Sequence, residues 1–426
     1  MTGKFVFVSA VCPYPADSGK KVFIDGLLRY MIEKIGAQNV HYLIIGSVDP
    51  GKISLFKEKF GINVVHVGSV RTGEILGNAL MSFLERLPKS FQECVLFSRK
   101  IQSNLFRIIR GIDPSVVVSD TLRIGQYFER ERPSGAKYIL YMEDLFAIRY
   151  ERMLESSNNQ ASLNAAGNFI SNIPSVFRGL LNSPFVERFL LSIEFARVSR
   201  RENQLPNEFD LNLLLNEDDV AKLMRVAPAA KVNQIPPLLK ISSKGQRDWI
   251  GEPSFVFVGD LKVSENSVSL EIFIRKCMEK IIAKLPAFKL IVIGKGIPLS
   301  LKEMIDKYPK NIEYLGFVEN IDTILSKCAA MLIPMLYGSG IRFKALDAFV
   351  RGVPVISTPL GVEGLGLEGL DVCMISEQIE QMPDLIVSVL DKRTNQTLSD
   401  NGKMFFSERF AYDRVCRFYD SIFESR

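Results

Sequence analysis

The chain has 426 residues, 47% of them hydrophobic and 24% charged, and its formal net charge is +5. This length suits two domains of roughly 200 residues each, and the composition excludes a disordered chain. No uncharged apolar run reaches the roughly 18 residues that a transmembrane helix needs.

Cysteine and histidine usage narrows the possible chemistry further. The six cysteines have no metal-ligand spacing, so we interpret them as small buried residues in a reducing compartment. The two histidines, His41 and His66, lie in strand-like runs, which argues against a histidine zinc site or a Ser-His-Asp triad. We therefore expect a cytoplasmic protein without a bound metal.

The first half of the chain alternates short apolar runs with longer amphipathic ones. The runs with strand character are Lys4–Ala10, Val40–Ile45, Val64–Val67, Val116–Ser119, Tyr138–Met142 and Asp210–Leu215. Near-continuous apolar strands that alternate with helical patterns predict a parallel sheet covered on both faces. A helical insertion is predicted within residues 145–205.

The excess of positive charge lies in residues 1–240 and is densest from Lys52 to Arg110. Such a basic, partly apolar face suits an anionic membrane surface or a phosphorylated acceptor. An ordinary amphipathic helix with a solvated basic side gives the same pattern. Both interpretations remain open at this point, and association with the inner face of the membrane is one of our expectations.

The second half repeats the alternation. Its predicted strands are Ser254–Gly259, Lys289–Gly294, Ile312–Gly316, Ala329–Ile333, Val353–Ser357 and Asp371–Ile375. We predict an α/β protein with two Rossmann-like domains, residues 1–240 and 248–408, facing a cleft. Residues 409–426 are predicted to form a helix that crosses back to the first domain.

One segment after the predicted strand Ala329–Ile333 combines glycines with charged residues. It contains Gly338, Ser339, Gly340, Arg342, Lys344 and Asp347 and then continues as a helix. Glycines allow close approach of a ligand, and a helix N-terminus favours an anion. Arg342 and Lys344 suit a diphosphate, and Asp347, one turn further on, suits ribose hydroxyls. A loop–helix junction with a solvated polar face is the alternative.

Three strings in this half resemble the donor-binding region of retaining "group 1" glycosyltransferases, family 4, which have the GT-B fold. They are Gly338-x-Gly-x-Arg-x-Lys-x-x-Asp-Ala, Gly352-Val-Pro-Val-Ile-Ser-Thr and Gly361-Val-Glu-Gly-Leu. More narrowly, they resemble the subgroup signature GxGxRxKxxEA…GxPVVST…GxEGL. Near the N-terminus, Cys12-Pro-Tyr-Pro-Ala-Asp-Ser-Gly resembles the family's PxPxxxGG loop.

The resemblance implies transfer of a sugar from a nucleoside diphosphate such as UDP, with retention and without a metal or other cofactor. The implied donor-binding residues are Gly19, Gly338, Ser339, Gly340, Arg342, Lys344, Asp347 and Glu363. Asp347 matches the second carboxylate of the family's Glu-x7-Glu pair. Asp120 falls where many relatives place a catalytic-side histidine, so it is the catalytic candidate; a helix N-cap is its alternative role.

This sequence departs from the family at several positions. Ser339 occupies the position of the first carboxylate of the pair. Asp260 and Asn266 replace the usual arginine and lysine after the first strand of the second domain, and Arg342 and Lys344 could supply the lost positive charge.

Three functions therefore stay under consideration. The first is a glycosyltransferase acting on a glycan, a lipid-linked saccharide or a protein, with no nucleic-acid partner. The second is a non-catalytic homologue that binds or stabilises a partner. The third is an epimerase on the same fold, for which the chain offers few acid–base groups.

Overall fold

The computed structural model describes residues 3–16, 18–82, 89–156, 184–239, 247–338 and 340–424. Within these ranges the chain forms two compact units. The first unit comprises the residues up to Glu155, those from 184 to Leu239 and those from Val415 onward. The second unit comprises Ser156 and residues 247–414. The middle of the predicted insertion, residues 157–183, lies outside the described residues.

The first unit contains a parallel sheet with the strand order β3-β2-β1-β4-β5-β6-β7. Its strands are β1 (Phe5–Ser9), β2 (Val40–Ile45), β3 (Asn63–Gly68), β4 (Val116–Asp120), β5 (Lys137–Glu143), β6 (Leu211–Leu214) and β7 (Val232–Gln234). All five residues of β1 and of β4 are buried, as expected for strands that are covered on both faces.

Helices connect these strands. They are α1 (Gly19–Ile35), α2 (Pro50–Phe60), α3 (Thr72–Ser82), α4 (Phe91–Leu96), α5 (Arg99–Ile112), α6 (Thr121–Gly125), α7 (Phe146–Ser156), α8 (Pro184–Gln204) and α9 (Glu217–Val226). Helix α5 carries part of the basic stretch. It buries Ile101, Leu105 and Ile109, while Arg110 lies 3.4 Å from Glu131 on the exposed side. The alternation of apolar and basic residues in α5 is thus that of an amphipathic helix with a solvated basic side.

The second unit contains a parallel sheet with the order β10-β9-β8-β11-β12-β13. Its strands are β8 (Ser254–Val258), β9 (Lys289–Ile293), β10 (Ile312–Gly316), β11 (Ala330–Ile333), β12 (Val355–Ser357) and β13 (Met374–Ile375). Its helices are α10 (Ser264–Lys284), α11 (Leu299–Ile305), α12 (Asp322–Leu325), α13 (Phe343–Val350), α14 (Met382–Ser388) and α15 (Lys392–Phe410).

The last helix, α16 (Tyr412–Phe423), returns to the first unit. The hydroxyl of the fully buried Tyr419 donates to the carbonyl of Pro236 at 2.8 Å, and the Tyr30 hydroxyl donates to Asp420 at 2.6 Å. The ring of Phe423 packs edge-on against Phe5 of β1. These contacts make α16 part of the first unit's core.

Both sheets have the Rossmann strand order, which confirms the predicted fold class of two Rossmann-like α/β domains. In each sheet the order reverses between two neighbouring strands, β1 and β4 in the first and β8 and β11 in the second. Ligands of such sheets bind beyond the carboxyl ends of the strands at this switch point. The loops after these four strands are therefore where we expect ligand sites.

Candidate functional site

At the switch point of the first sheet, a serine and an aspartate bridge the two central strands. Ser9 is the last residue of β1 and Asp120 is the last residue of β4, and both are buried. The Ser9 hydroxyl donates to Oδ2 of Asp120 at 2.5 Å. Since parallel neighbours end at the same edge, Asp120 lies where this fold binds its ligands.

Lys20, the second residue of α1, joins Asp120 to a further carboxylate. Its Nζ lies 2.7 Å from Oδ1 of Asp120 and 3.2 Å from Oε2 of Glu143, at the end of β5. Burial raises the pKa of Glu143, and the Lys20 ammonium partly offsets this rise. Lys20, Asp120 and Glu143 thus form a cluster in which one cation pairs with two carboxylates.

The backbone around this cluster is strained. Thr121, directly after β4, has a φ of 65°, and Glu143 has a φ of 71°. A left-handed conformation is costly for residues with a Cβ, above all for a β-branched one, and such strain concentrates at functional sites. Thr121 follows β4, and Glu143 is the last residue of the adjacent strand β5. Lys20 forms ion pairs with Glu143 and with Asp120, the residue before Thr121.

The structure also bears on the capping role considered for Asp120. Asp120 immediately precedes α6, but its side chain makes no capping hydrogen bond to that helix. Its oxygens are directed instead to Ser9 and Lys20. Gly19 is the first residue of α1, half-buried and next to Lys20.

At the switch point of the second sheet, β11 leads into the glycine-containing loop. Gly338 and Gly340 have φ values of 100° and 82°, so both use the left-handed region that favours glycine. A Cβ at Gly338 would lie 2.4 Å from Nη2 of Arg342, which donates to the carbonyl of Tyr337 at 3.0 Å. The turn therefore places the Arg342 guanidinium against its backbone. Ser339 lies outside the described residues.

Lys344, in the first turn of α13, reaches the first turn of α10, just after the loop that follows β8. Its Nζ donates to Oδ1 of Asn266 at 2.8 Å and lies 4.9 Å from the centroid of the Phe257 ring. Asn266 in turn donates to the carbonyl of Asp260 at 2.9 Å. Burial, with a smaller contribution from the nearby Arg342, lowers the pKa of Lys344 to about 7.

Asp347 takes part in an ion-pair network along α13. Its Oδ1 lies 2.5 Å from Nη1 of Arg351, whose Nε lies 2.6 Å from Oδ1 of Asp322. Burial raises the pKa of Asp347, and the Arg351 guanidinium opposes that rise. A ligand hydroxyl at Asp347 would therefore have to share its carboxylate with Arg351.

The loop that carries Glu363 follows β12 at the same edge of the sheet. The Thr358 hydroxyl donates to the carbonyl of Met335 at 2.5 Å and ties this loop to the one after β11. Glu363 is half-buried in the following turn. The structure thus gathers Gly338, Gly340, Arg342 and Lys344 at one edge, with the Glu363 loop beside them.

Comparison with known proteins identifies the architecture. The structure is similar over 100% of its length to 99% of TarM, with a TM-score of 0.68 and 9% sequence identity. It is similar over 100% of its length to 100% of HepE from Anabaena in complex with UDP-glucose, with a TM-score of 0.65 and 11% identity. It is similar over 99% of its length to 98% of a sucrose-phosphate synthase from Thermosynechococcus elongatus, with a TM-score of 0.64 and 11% identity. The fold is GT-B.

One family match lies in the second unit of this GT-B chain. Residues 252–392 match the family described as "Glycosyl transferases group 1". A curated relative, an uncharacterized 44.6 kDa protein in the cps region of Klebsiella pneumoniae, is 32% identical over 176 residues. The match covers 40% of this chain and 45% of that protein, so the chain spans less than half of the relative's length. The region that matches the family contains Arg342, Lys344, Asp347 and Glu363.

The described part of this GT-B chain contains neither a membrane-spanning helix nor a cluster of metal-ligating residues. No described helix is long and apolar enough to cross a membrane. No group of three or more histidine, cysteine, aspartate or glutamate residues in the described ranges could hold a metal ion.

Sequence reasoning overlooked Lys20, Ser9 and Glu143. Lys20 directly follows Gly19 in the N-terminal loop, and that adjacency was the available signal. Glu143 lies in the string Tyr141-Met-Glu-Asp144, which resembles a first-domain motif of the family, but its backbone conformation and its contact with Lys20 arise only in the folded chain.

Proposed function

We propose that this protein is a glycosyltransferase that moves a sugar from a nucleoside diphosphate sugar to an acceptor. The observation that carries the proposal is the pair Arg342 and Lys344 beside a glycine turn, at the carboxyl end of β11, inside the segment that matches group 1 glycosyltransferases. Two cations and a helix N-terminus at a switch point suit a diphosphate.

The donor is a UDP sugar in this proposal. Solved structures similar to this chain include HepE in complex with UDP, with UDP and glucose, and with UDP-glucose. Arg342 and Lys344 bind the diphosphate, and the backbone at Gly338, Ser339 and Gly340 lies against it. Asp347 accepts hydrogen bonds from the ribose while it retains Arg351 as its partner.

Two further donor contacts follow from the family resemblance. Glu363 takes part in donor binding from the loop after β12. Gly19 leaves room for close approach of the donor at the start of α1.

The chemistry is transfer with retention and without a metal. The bond between the anomeric carbon and the diphosphate oxygen breaks, and the acceptor oxygen bonds to that carbon on the same face. The acceptor's proton passes to the departing phosphate oxygen, so no protein nucleophile is needed. Arg342 and Lys344 stabilise the negative charge that develops on the leaving group.

On the acceptor side, we assign Asp120 to orient the reacting hydroxyl or the donor sugar's hydroxyls. Lys20 and Ser9 position its carboxylate through the contacts of 2.7 and 2.5 Å. The acceptor is a glycan, a lipid-linked saccharide or a protein. TarM has been crystallised with fondaparinux, α-GlcNAc-glycerol and UDP, which supports a glycan-type acceptor. Peripheral contact of the basic first unit with the inner membrane face is part of the proposal.

The proposal is tested by measuring catalytic turnover. Purified protein is incubated with UDP, GDP and dTDP sugars and candidate acceptors, and release of free nucleoside diphosphate is measured with and without a chelator. The product anomer is read by NMR. We expect release that depends on donor and acceptor and resists chelation, and a product that keeps the donor's anomeric configuration.

Other outcomes identify the alternatives. Tight binding of a nucleotide sugar without release of nucleoside diphosphate indicates a non-catalytic homologue. Conversion of the donor sugar to an isomer in the absence of acceptor indicates an epimerase.

A further inference from the structure

A cavity lies in the second unit, away from the glycine loop. Its volume is about 330 Å³, and part of its lining is a stripe of α15 formed by Lys392, Gln396, Ser399 and Lys403. The spacing of four, three and four residues puts these side chains on one helix face. Arg247 and Trp249 also line it. We call this cavity the Trp249 pocket.

The Trp249 pocket is at the other edge of the sheet from the candidate donor site. The Arg247 guanidinium donates to the carbonyls of Cys328 and Ala329, each at 3.1 Å, and to that of Gly352 at 2.6 Å. These residues precede β11 and β12, whereas the glycine loop follows β11. The four residues of β11, roughly 13 Å of extended chain, separate the two locations.

The pocket carries an excess of positive charge. Arg247, Lys392 and Lys403 line it. Within the described ranges neither lysine forms an ion pair, and both are exposed. The nearby carboxylate of Asp400 accepts hydrogen bonds from Gln396 Nε2, 3.0 Å from each oxygen. The described lining residues include three cations and no carboxylate, which favours an anionic ligand.

The lining of the Trp249 pocket includes a buried hydroxyl group, that of Ser399. Ser399 is 1% exposed, and its Oγ has no hydrogen-bond partner among the described residues. Buried polar groups are nearly always hydrogen-bonded, so this oxygen is available to a ligand. A Cβ at Gly352 would lie 2.7 Å from that Oγ and 2.2 Å from Cε of Lys403, so glycine keeps the space beside them open.

The lining outside α15 includes an aromatic side chain, Trp249. Trp249 Nε1 donates to the carbonyl of Glu252 at 2.7 Å, and the Arg247 guanidinium lies 5.4 Å from the indole centroid. The ring is thereby fixed in orientation. An indole beside cations and amide groups combines an apolar surface with polar contacts, as a sugar ring with an acidic substituent requires.

We propose that the Trp249 pocket binds an acidic saccharide, a sugar that carries a phosphate or a carboxylate. Lys392, Lys403 and Arg247 attract the anionic group, Ser399 and Gln396 bond sugar hydroxyls, and Trp249 contacts the ring. The volume suits one or two sugar units, since it lies near the lower limit of about 300 Å³ for ligand pockets.

The test uses the chain's own fluorescence. Trp249 is the only tryptophan in the sequence, so its emission reports on this pocket alone. The full chain is titrated with glucose 6-phosphate, glucuronate, glucose and inorganic phosphate. We expect saturable changes with at least one of the two acidic sugars, with an affinity about tenfold or more above that for phosphate or glucose, because charge and hydroxyl contacts add. Failure of both acidic sugars, or equal affinity for phosphate, would overturn the proposal.

Variants test whether the acidic sugar binds in the Trp249 pocket. Lys392→Ala with Lys403→Ala should weaken the acidic sugar about tenfold or more, and Ser399→Ala should weaken it by a smaller factor. Lys307→Ala with Lys310→Ala is the matched control, since it removes two exposed lysines outside the pocket. Arg342→Ala should retain the affinity, and melting curves check the fold of each variant. The proposal fails if the control pair loses as much affinity as the pocket pair, or if Arg342→Ala abolishes binding.

Discussion

The ammonium of Lys344 donates a 2.8 Å hydrogen bond to Oδ1 of Asn266. This contact links the first turn of α13 to the first turn of α10. Asn266, and Asp260 in the loop between β8 and α10, replace basic residues of the glycosyltransferases that the sequence resembles. An amine from another element, which is charged below about pH 7, thus lies beside the positions that lack the basic residues.

Replacing Arg342 by alanine should lower kcat/KM. The expected loss of transition-state stabilisation is about 1.5–3 kcal/mol, which is typical of a charged hydrogen bond. The guanidinium is held at the glycine turn by the carbonyl of Tyr337, where the diphosphate is proposed to bind. Steady-state kinetics with a UDP sugar measure the effect. Arg275→Ala, which removes an exposed arginine of α10, is the control. Equal turnover of Arg342→Ala and wild type would place the diphosphate elsewhere.

Lys344 should take up a proton when a UDP sugar binds. Its pKa is lowered to about 7, so at about pH 8 the amine of the free protein is mostly neutral. A bound diphosphate favours the ammonium and raises this pKa again. Donor affinity should therefore weaken as the pH rises above about 7. Below about pH 7 the amine is already charged, so donor binding takes up no proton.

Calorimetry measures this uptake. UDP-glucose is titrated in two buffers of different ionisation enthalpy, because its diphosphate does not itself titrate near neutrality. Lys344→Met should bind more weakly and with the same heat in both buffers. Buffer-independent heats in the wild type would contradict the prediction.

Exchanging Asp347 for asparagine should lower donor affinity while the fold survives. The substitution keeps the size of the side chain and removes the charge proposed to face the ribose. It also removes the partner of Arg351, but Arg351 keeps its 2.6 Å contact with Asp322. Asp322→Asn disturbs the same network from its other end and serves as the control. Equal losses of affinity in the two variants would mean that Asp347 acts only through Arg351.

The sequence predicted much of the fold because apolar strands and amphipathic helices bear strong periodic patterns. The edge strand β7 was missed, since Val232–Gln234 is short and two of its three residues are polar. The loop with Arg342 and Lys344 was located by its glycines and its place after a strand. The cluster of Lys20, Asp120 and Glu143 could not be predicted, because chain topology alone brings together residues up to 123 positions apart.

Substituting asparagine for Asp120 should lower kcat about a hundredfold or more, equivalent to about 2.7 kcal/mol. The melting temperature should change little, because Lys20 retains Glu143 at 3.2 Å. Ser9→Ala removes one hydrogen bond to the same carboxylate but leaves its charge, so its loss of activity should be clearly smaller. Activity of Asp120→Asn near that of wild type would redirect the search to Asp144 and Arg149, which form a 2.9 Å ion pair after β5.

The return of α16 to the first unit has a consequence for biosynthesis. Apart from Ser156, the described residues of the second unit form one continuous stretch, 247–414, whereas the first unit also needs Tyr419 and Phe423 to cover Tyr30 and Phe5. Domains usually complete folding in the order of their synthesis. Here we expect the reverse order: on the ribosome, the unit translated first leaves aromatic core surface uncovered until α16 emerges, after the second unit has been fully translated.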